Sequence, residues 1–184
     1  MTDFRDHYLA DMRSQLVKLR SAAERAMAQV SDHDFARLLD EENNSIAITV
    51  KHIAGNLRSR CSDFLTSDGE KPDRDRDGEF VVGPSDTRSG LMSQWQAGWD
   101  LLDGAVGALS AADVERTVYI RAEPHTVIQA LNRHLGHLAY HTGQIVLLAK
   151  HWAGSEWRTL TIPRGQSRQF TAAKRDELAT RSGG

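Results

Sequence analysis

Cysteine is all but missing from this chain. The single thiol among its 184 residues, Cys61, cannot close an intramolecular disulfide, so nothing in the sequence requires an oxidising compartment. Proline is scarce too, with 4 residues, and the stretches between are rich in Ala, Leu and Arg, which favours helices. No apolar run approaches the roughly 18 residues that a membrane span needs. The opening MTDFRDHYLADM carries three aspartates and no uninterrupted apolar stretch, unlike a secretory signal, so the expected location is cytoplasmic. Neither sign of charge dominates: 23 basic residues face 25 acidic ones, net −2, and there is no overall positive field to hold a nucleic-acid backbone by counterion release. Nucleic acid and membrane are therefore not expected partners. With 40% hydrophobic and 26% charged residues, what remains is a globular chain able to bury a core.

The apolar residues fall into helical stripes. Phe4, Tyr8, Met12, Leu16, Leu19, Ala23, Ala26 and Val30 recur at three- and four-residue spacing and predict a first helix that stops at the polar SDHD run. Ser45, a good N-cap, precedes a second stripe of Ile46, Val50, Ile53, Leu57, Cys61 and Phe64. From Ser67 to Ser85 the chain is dense in Asp, Gly and Pro and reads as a long crossover, with FVV as a candidate short strand and the DRDRD run as a solvated loop. Pro84, Ser85 and Asp86 supply start signals for a third helix carrying Leu91, Trp95, Trp99 or Leu102, and Val106, and ending near Leu109. VERTVYIRAEPHT has strand character around Val118 to Ile120, and Pro124 stops a helix from running through it. The fourth helix opens near Thr126 and carries the most regular stripe to about His151. The following WRTLTIPRGQSRQF reads as extended, anchored by Trp157 and Phe170, and 171–184 as a frayed helix or tail. The expectation is an all-α fold: a four-helix bundle in one domain over 1–170, with a long crossover between its second and third helices and a β-like hairpin before the fourth.

Histidine carries the chemical signal. His134, His137 and His141 fall within eight residues of the fourth predicted helix, on one side of it. His137 and His141 are ~6 Å apart along the axis, close enough to converge on one ion, whereas His134 and His141 are ~10.5 Å apart, so a third ligand has to come from another helix. The residue after His137 is Leu138, so the H-E-x-x-H motif with its general base is absent. On spacing alone the pair fits a metal site, structural or surface histidines, or an interface pH switch. His134 is a candidate to support the ligands or to meet a substrate, although for it alone a satisfied or surface histidine is the expectation. Trp95 and Trp99 read as core or subunit-interface aromatics and Cys61 as a buried thiol. No hydroxyl sits in a G-x-S-x-G context, and the DRDRD run lacks the spacing and the Glu of a calcium loop.

The stretch EPHTVIQALNRHLGHLAYHTGQIVLLAKH, with its H-x-x-x-H-x-G-Q core, resembles the last helix of the DinB superfamily of metalloenzymes, and VKHIAGNLRSR resembles that family's second helix. The C-terminal WRTLTIPRGQS and Arg121 resemble one branch of it, and the likeness covers residues 1–170. The resemblance implies a divalent metal held by His52, His137 and His141, and a thiol-dependent transferase or isomerase that uses a low-molecular-weight thiol on a small-molecule substrate. It also implies a homodimer, for which the Trp-bearing third helix is a candidate interface. Helical phase alone places His52 about 120° off its helix's apolar stripe and so predicts exposure. Zinc or nickel suits three imidazoles, and iron or manganese is compatible. Gln144, on the same face as His141, and Asn56, four residues past His52, are candidates to orient the ligands, although a surface amide is the simpler expectation for Asn56. Arg121 is a candidate either for an anionic substrate group or for a salt bridge holding the hairpin. Other readings are a metal-dependent hydrolase and a non-catalytic, metal-stabilised binding or stress-linked helical protein; the last predicts no cleft beside the metal.

Overall fold

The computed structural model describes residues 3–182, which are mostly helical. Six α-helices follow in chain order: α1 (Phe4–Met27), α2 (Asp32–Ala36), α3 (Ile46–Cys61), α4 (Arg88–Gly107), α5 (Val127–Ala153) and α6 (Ser167–Ser182). A two-stranded antiparallel hairpin, β1 (Thr117–Ile120) and β2 (Glu123–Thr126), precedes α5. The four long predicted helices are α1, α3, α4 and α5. Each of them touches two of the others, α1 against α5 and α4, and α3 against α4 and α5, so their apolar faces close over one core.

The starts of these helices are chemically marked. The Ser45 hydroxyl accepts the Ile48 N–H at 3.1 Å, and Thr126 and Gln129 form a reciprocal capping box at the head of α5. The α4 start lies slightly later than Pro84 to Asp86 predict, because Thr87 caps Gly90 while Asp86 is engaged by Lys51 and the Gly83 N–H. The SDHD run does end the first helix, yet Ser31 then caps the one-and-a-half-turn α2, which buries Phe35. Phe4 is exposed and Leu9 takes its place in the core, and Phe64 lies in a turn beyond the end of α3. FVV forms no strand: Phe80 closes a 3-10 turn (Asp77–Phe80), and Val81 and Val82 follow without regular structure.

Trp95 and Trp99 are core residues, each 1% exposed, and the Trp95 indole N–H donates to Glu24 at 3.0 Å. The α3–α4 contact is close because Gly98 faces Leu57 and Ala54; a Cβ there would lie 3.1 Å from the Leu57 Cβ. The C-terminal stretch departs from expectation. Trp157 packs against the core, but Phe170 is exposed and belongs to α6, which is solvent-exposed along its described length. Residues 167–170, expected to be extended, are thus the first turn of this helix, whose sequence offers no apolar stripe to hold it against the core.

The close α3–α4 approach makes a prediction. Gly98→Val forces the two helices apart and should cost about 1–3 kcal/mol, read as a lower urea midpoint with an unchanged slope. An unchanged midpoint would show that α4 can shift without cost.

Candidate metal centre

Three imidazoles from two helices meet at one point. His52 comes from α3 and His137 and His141 from successive turns of α5; one ring nitrogen from each lies within 4.8 Å of the others. The ring centres of His137 and His141 are 4.6 Å apart, and the two facing Nε2 atoms of His52 and His137 are separated by 3.1 Å. His134 does not join them. Its ring lies 6.5 Å from that of His137, the residue is half-buried, and its buried Nε2 has no hydrogen-bond partner among the described residues, so it is neither the surface nor the satisfied histidine expected.

His52 corrects the reading from helical phase, for it is 4% exposed. The cause is the crossover. Its 3-10 turn folds onto the polar flank of α3 and delivers Glu79, whose carboxylate accepts from the His52 Nδ1 at 2.8 Å. Phe80 packs on the same ring with centroids 4.9 Å apart. Glu79 in turn accepts from Arg74 Nε at 2.8 Å and Nη2 at 2.9 Å, a two-pronged pair in which the arginine side chain is 2% exposed. Burial raises the Glu79 pKa, but the hydrogen bonds from His52 and Arg74 outweigh it, so the carboxyl group lies below its ordinary value and is ionised. An ionised carboxylate only accepts, which places the His52 proton on Nδ1 and leaves its Nε2 lone pair facing the other imidazoles. Gln144 does the same for His141, its Oε1 lying 2.7 Å from Nδ1. The His137 Nδ1 has no partner among the described residues, so packing alone holds that ring.

Electrostatics favour the neutral form of the α5 imidazoles. Burial, reinforced by the neighbouring imidazoles, pushes His137 down to about 3. Burial also lowers His141, against the opposing hydrogen bond to Gln144, and takes His134 down to about 4, with the Arg60 charge adding to the effect. His52 and His141 turn a lone pair inward and His137 presents its Nε2 to the same point, a donor set of imidazoles that suits a divalent cation, so the residues fit a metal.

Glu79 can approach α3 because of Gly55. A Cβ at that position would fall on the Glu79 carboxylate. Asn56 is buried at 7% exposure rather than on the surface; it lines the cleft beside His52, and its Oδ1 has no partner among the described residues. Arg121 ties the hairpin to the crossover, with Nε 3.2 Å from Glu70, and also lines the cleft. The DRDRD run is not wholly solvated, since Arg74 within it is buried. Cys61 is a buried thiol, pushed up to about 12 mainly by burial, and is no nucleophile. Sequence reasoning missed Arg74, Glu79 and Gly55. The signal available was weak: Glu79 is the acid directly against the apolar FVV.

Fold and site together define a mostly helical protein with a three-histidine cluster able to hold a divalent cation. The chain belongs to the DUF1572 family, described as a protein of unknown function, whose model matches residues 3–166. No curated protein and no solved structure matches it.

The buried Arg74–Glu79 pair makes the second prediction. Glu79→Ala strands the Arg74 charge, whose next acceptor, Glu70, is 3.4 Å away, and should cost ~3 kcal/mol in urea unfolding. The double change Arg74→Met with Glu79→Leu should recover at least half of that loss. A single-variant cost below about 1 kcal/mol would show that the pair is relaxed by water.

Proposed function

We propose that this protein is a metal-dependent enzyme of the DinB type, with α1, α3, α4 and α5 as its four-helix bundle. His52, His137 and His141 would hold the divalent ion, and the reaction would couple a low-molecular-weight thiol to a small electrophile. The observation that carries this reading is the cavity of about 390 Å3 that opens directly on the three histidines. A metal-stabilised module without activity predicts four protein ligands and no such space, whereas the cluster contains three candidate ligands among the described residues.

A divalent ion held by His52, His137 and His141 would supply Lewis acidity, lowering the pKa of a thiol or water beside it. The protein does the rest. Glu79 and Gln144 fix the two ring tautomers, Arg74 keeps Glu79 ionised, and Phe80 closes one side of His52 against water. Leu102, Val106 and Leu131 form apolar walls that shield an electrophile beside the reacting sulfur. The sulfur–carbon bond forms as the leaving group departs with its electron pair, and the thiol proton passes to solvent. Hydrolysis is the alternative in the same site, with water in place of the thiol. Zinc or nickel is the first choice for three imidazoles, with iron and manganese compatible. A homodimer belongs to this reading, and if α4 is its interface then Leu101, on the outward side, replaces the buried tryptophans as the contact.

The test begins with metal content. Untagged protein should carry about one divalent ion per chain, and the His137→Ala, His141→Ala double variant none; absence of metal from both after reconstitution with zinc, nickel and manganese rejects the enzyme. With metal present, turnover of small electrophiles only when a thiol is added separates the transferase from the hydrolase. Glu79→Gln and Gly55→Ala, which loosen the hold on His52, should each weaken metal affinity by ~10–100-fold in chelator competition. Wild-type affinity in both would remove Glu79 from the site.

A further inference from the structure

The cleft runs away from the histidines along two walls. On α3, Asn56 and Arg60 follow His52 at successive intervals of four, which puts Arg60 two turns and ~12 Å along the axis from His52. On α5, His134 lies two turns before His141, and Arg133 beside it also lines the space. The hairpin closes over this far end with Val118, Ile120 and Arg121.

The lining is one-sided in charge. Arginines 60, 74, 76, 121 and 133 face the cavity, and no acidic side chain does among the described residues. Three of these charges are answered nearby, Arg74 by Glu79, Arg133 by Glu123 at 3.8 Å and the outlying Arg76 by Asp77 at 4.0 Å. At the far end the balance fails. The single Glu70 oxygen Oε2 serves Arg60 at 3.0 Å, Arg121 at 3.2 Å and Arg74 at 3.4 Å. The Arg60 side chain is only 12% exposed, yet its buried Nη1 has no hydrogen-bond partner among the described residues. A buried guanidinium branch without an acceptor is costly, and so is one carboxylate spread over several cations; a bound oxyanion answers both. The His134 Nε2, equally buried and unpartnered, stands in the same lining and can supply a second donor.

We infer that the cleft takes a substrate with a carboxylate at one end, seated on Arg60 with His134 beside it, and the reacting atom at the other, separated by an apolar body about two helical turns long. Only the assignment of the reacting end rests on the proposed function. A carboxylate suits the two free donors better than a phosphoryl group, whose third oxygen would lack a partner, and the side chains between the two ends, mainly apolar apart from Asn56, favour an apolar body.

Titration calorimetry of hexanoate, 1-hexanol, hexylamine and hexylphosphonate against the full chain, in chelator and again with zinc, tests this directly. Chelator removes the trivial route of a carboxylate binding an ion. Hexanoate should bind in chelator at least tenfold more tightly than hexanol or hexylamine, and more tightly than hexylphosphonate. Arg60→Gln should abolish that preference. Should Arg60→Gln not fold, Arg60→Lys keeps the charge on Glu70 but loses the second N–H branch and should weaken hexanoate at least fivefold. The His137→Ala, His141→Ala variant should bind hexanoate within about threefold of wild type. The metal reading therefore stands or falls on its own: a protein that binds metal but not hexanoate overturns this inference alone. Equal binding of hexanol and hexanoate, tighter binding of the phosphonate, or wild-type affinity in Arg60→Lys overturns it as well.

Discussion

The pairing of Arg74 with Glu79 on the flank of α3 governs more of this molecule than any apolar contact. A guanidinium and a carboxylate that leave water together are favourable only when both are fully hydrogen-bonded, and here Arg74 supplies two prongs to Glu79 while His52 supplies a third donor. The arrangement seats the crossover on the helix, buries His52 and selects its tautomer. It also sets the floor of the cleft, because Glu70 on the same crossover holds Arg60 and Arg121.

A second constraint holds the roof. Arg121 and Ala122 turn the hairpin with φ of +55° and +61°, a region that side chains disfavour. The Asp68 carboxylate offsets that cost by accepting both of their backbone N–H groups, at 2.8 and 2.7 Å. Gly69 extends the tie, its N–H donating to the Tyr119 carbonyl at 2.8 Å. The crossover therefore grips the hairpin at residues 68 and 69 and α3 at residues 70 and 79, and the cleft lies between the hairpin and α3.

The residues that the sequence made legible are those governed by local periodicity. The stripes along α3, α4 and α5, the Ser45 and Thr126 caps, the hairpin around Pro124 and the one-face placement of His137 and His141 all follow from spacing within a turn or two. His52 and Asn56 defied the same logic because α3 is covered on more than its apolar face: the crossover lies on one flank and α5 on another. Periodicity reports the face that meets other helices, and it is silent about a polar flank sheathed by a loop. Resemblance to the DinB superfamily placed His52 in the cluster where phase alone did not. Arg74, Glu79 and Gly55 were illegible because their relation depends on how a 26-residue connection between helices threads, and no short-range pattern encodes that path. Phe170 failed in the opposite sense, as an aromatic without neighbours of matching period.

The separation between His52 and His137 along the chain is 85 residues, and His141 lies further still. Closing so long a loop carries an entropic cost that local contacts do not repay, so the three imidazoles can meet only once α5 has docked on α3. During synthesis the first of them waits for most of the chain, and no fragment that ends before α5 holds more than one. The cluster therefore behaves as a reporter of completed folding: a cation that needs all three imidazoles has nothing to bind until the native topology is in place.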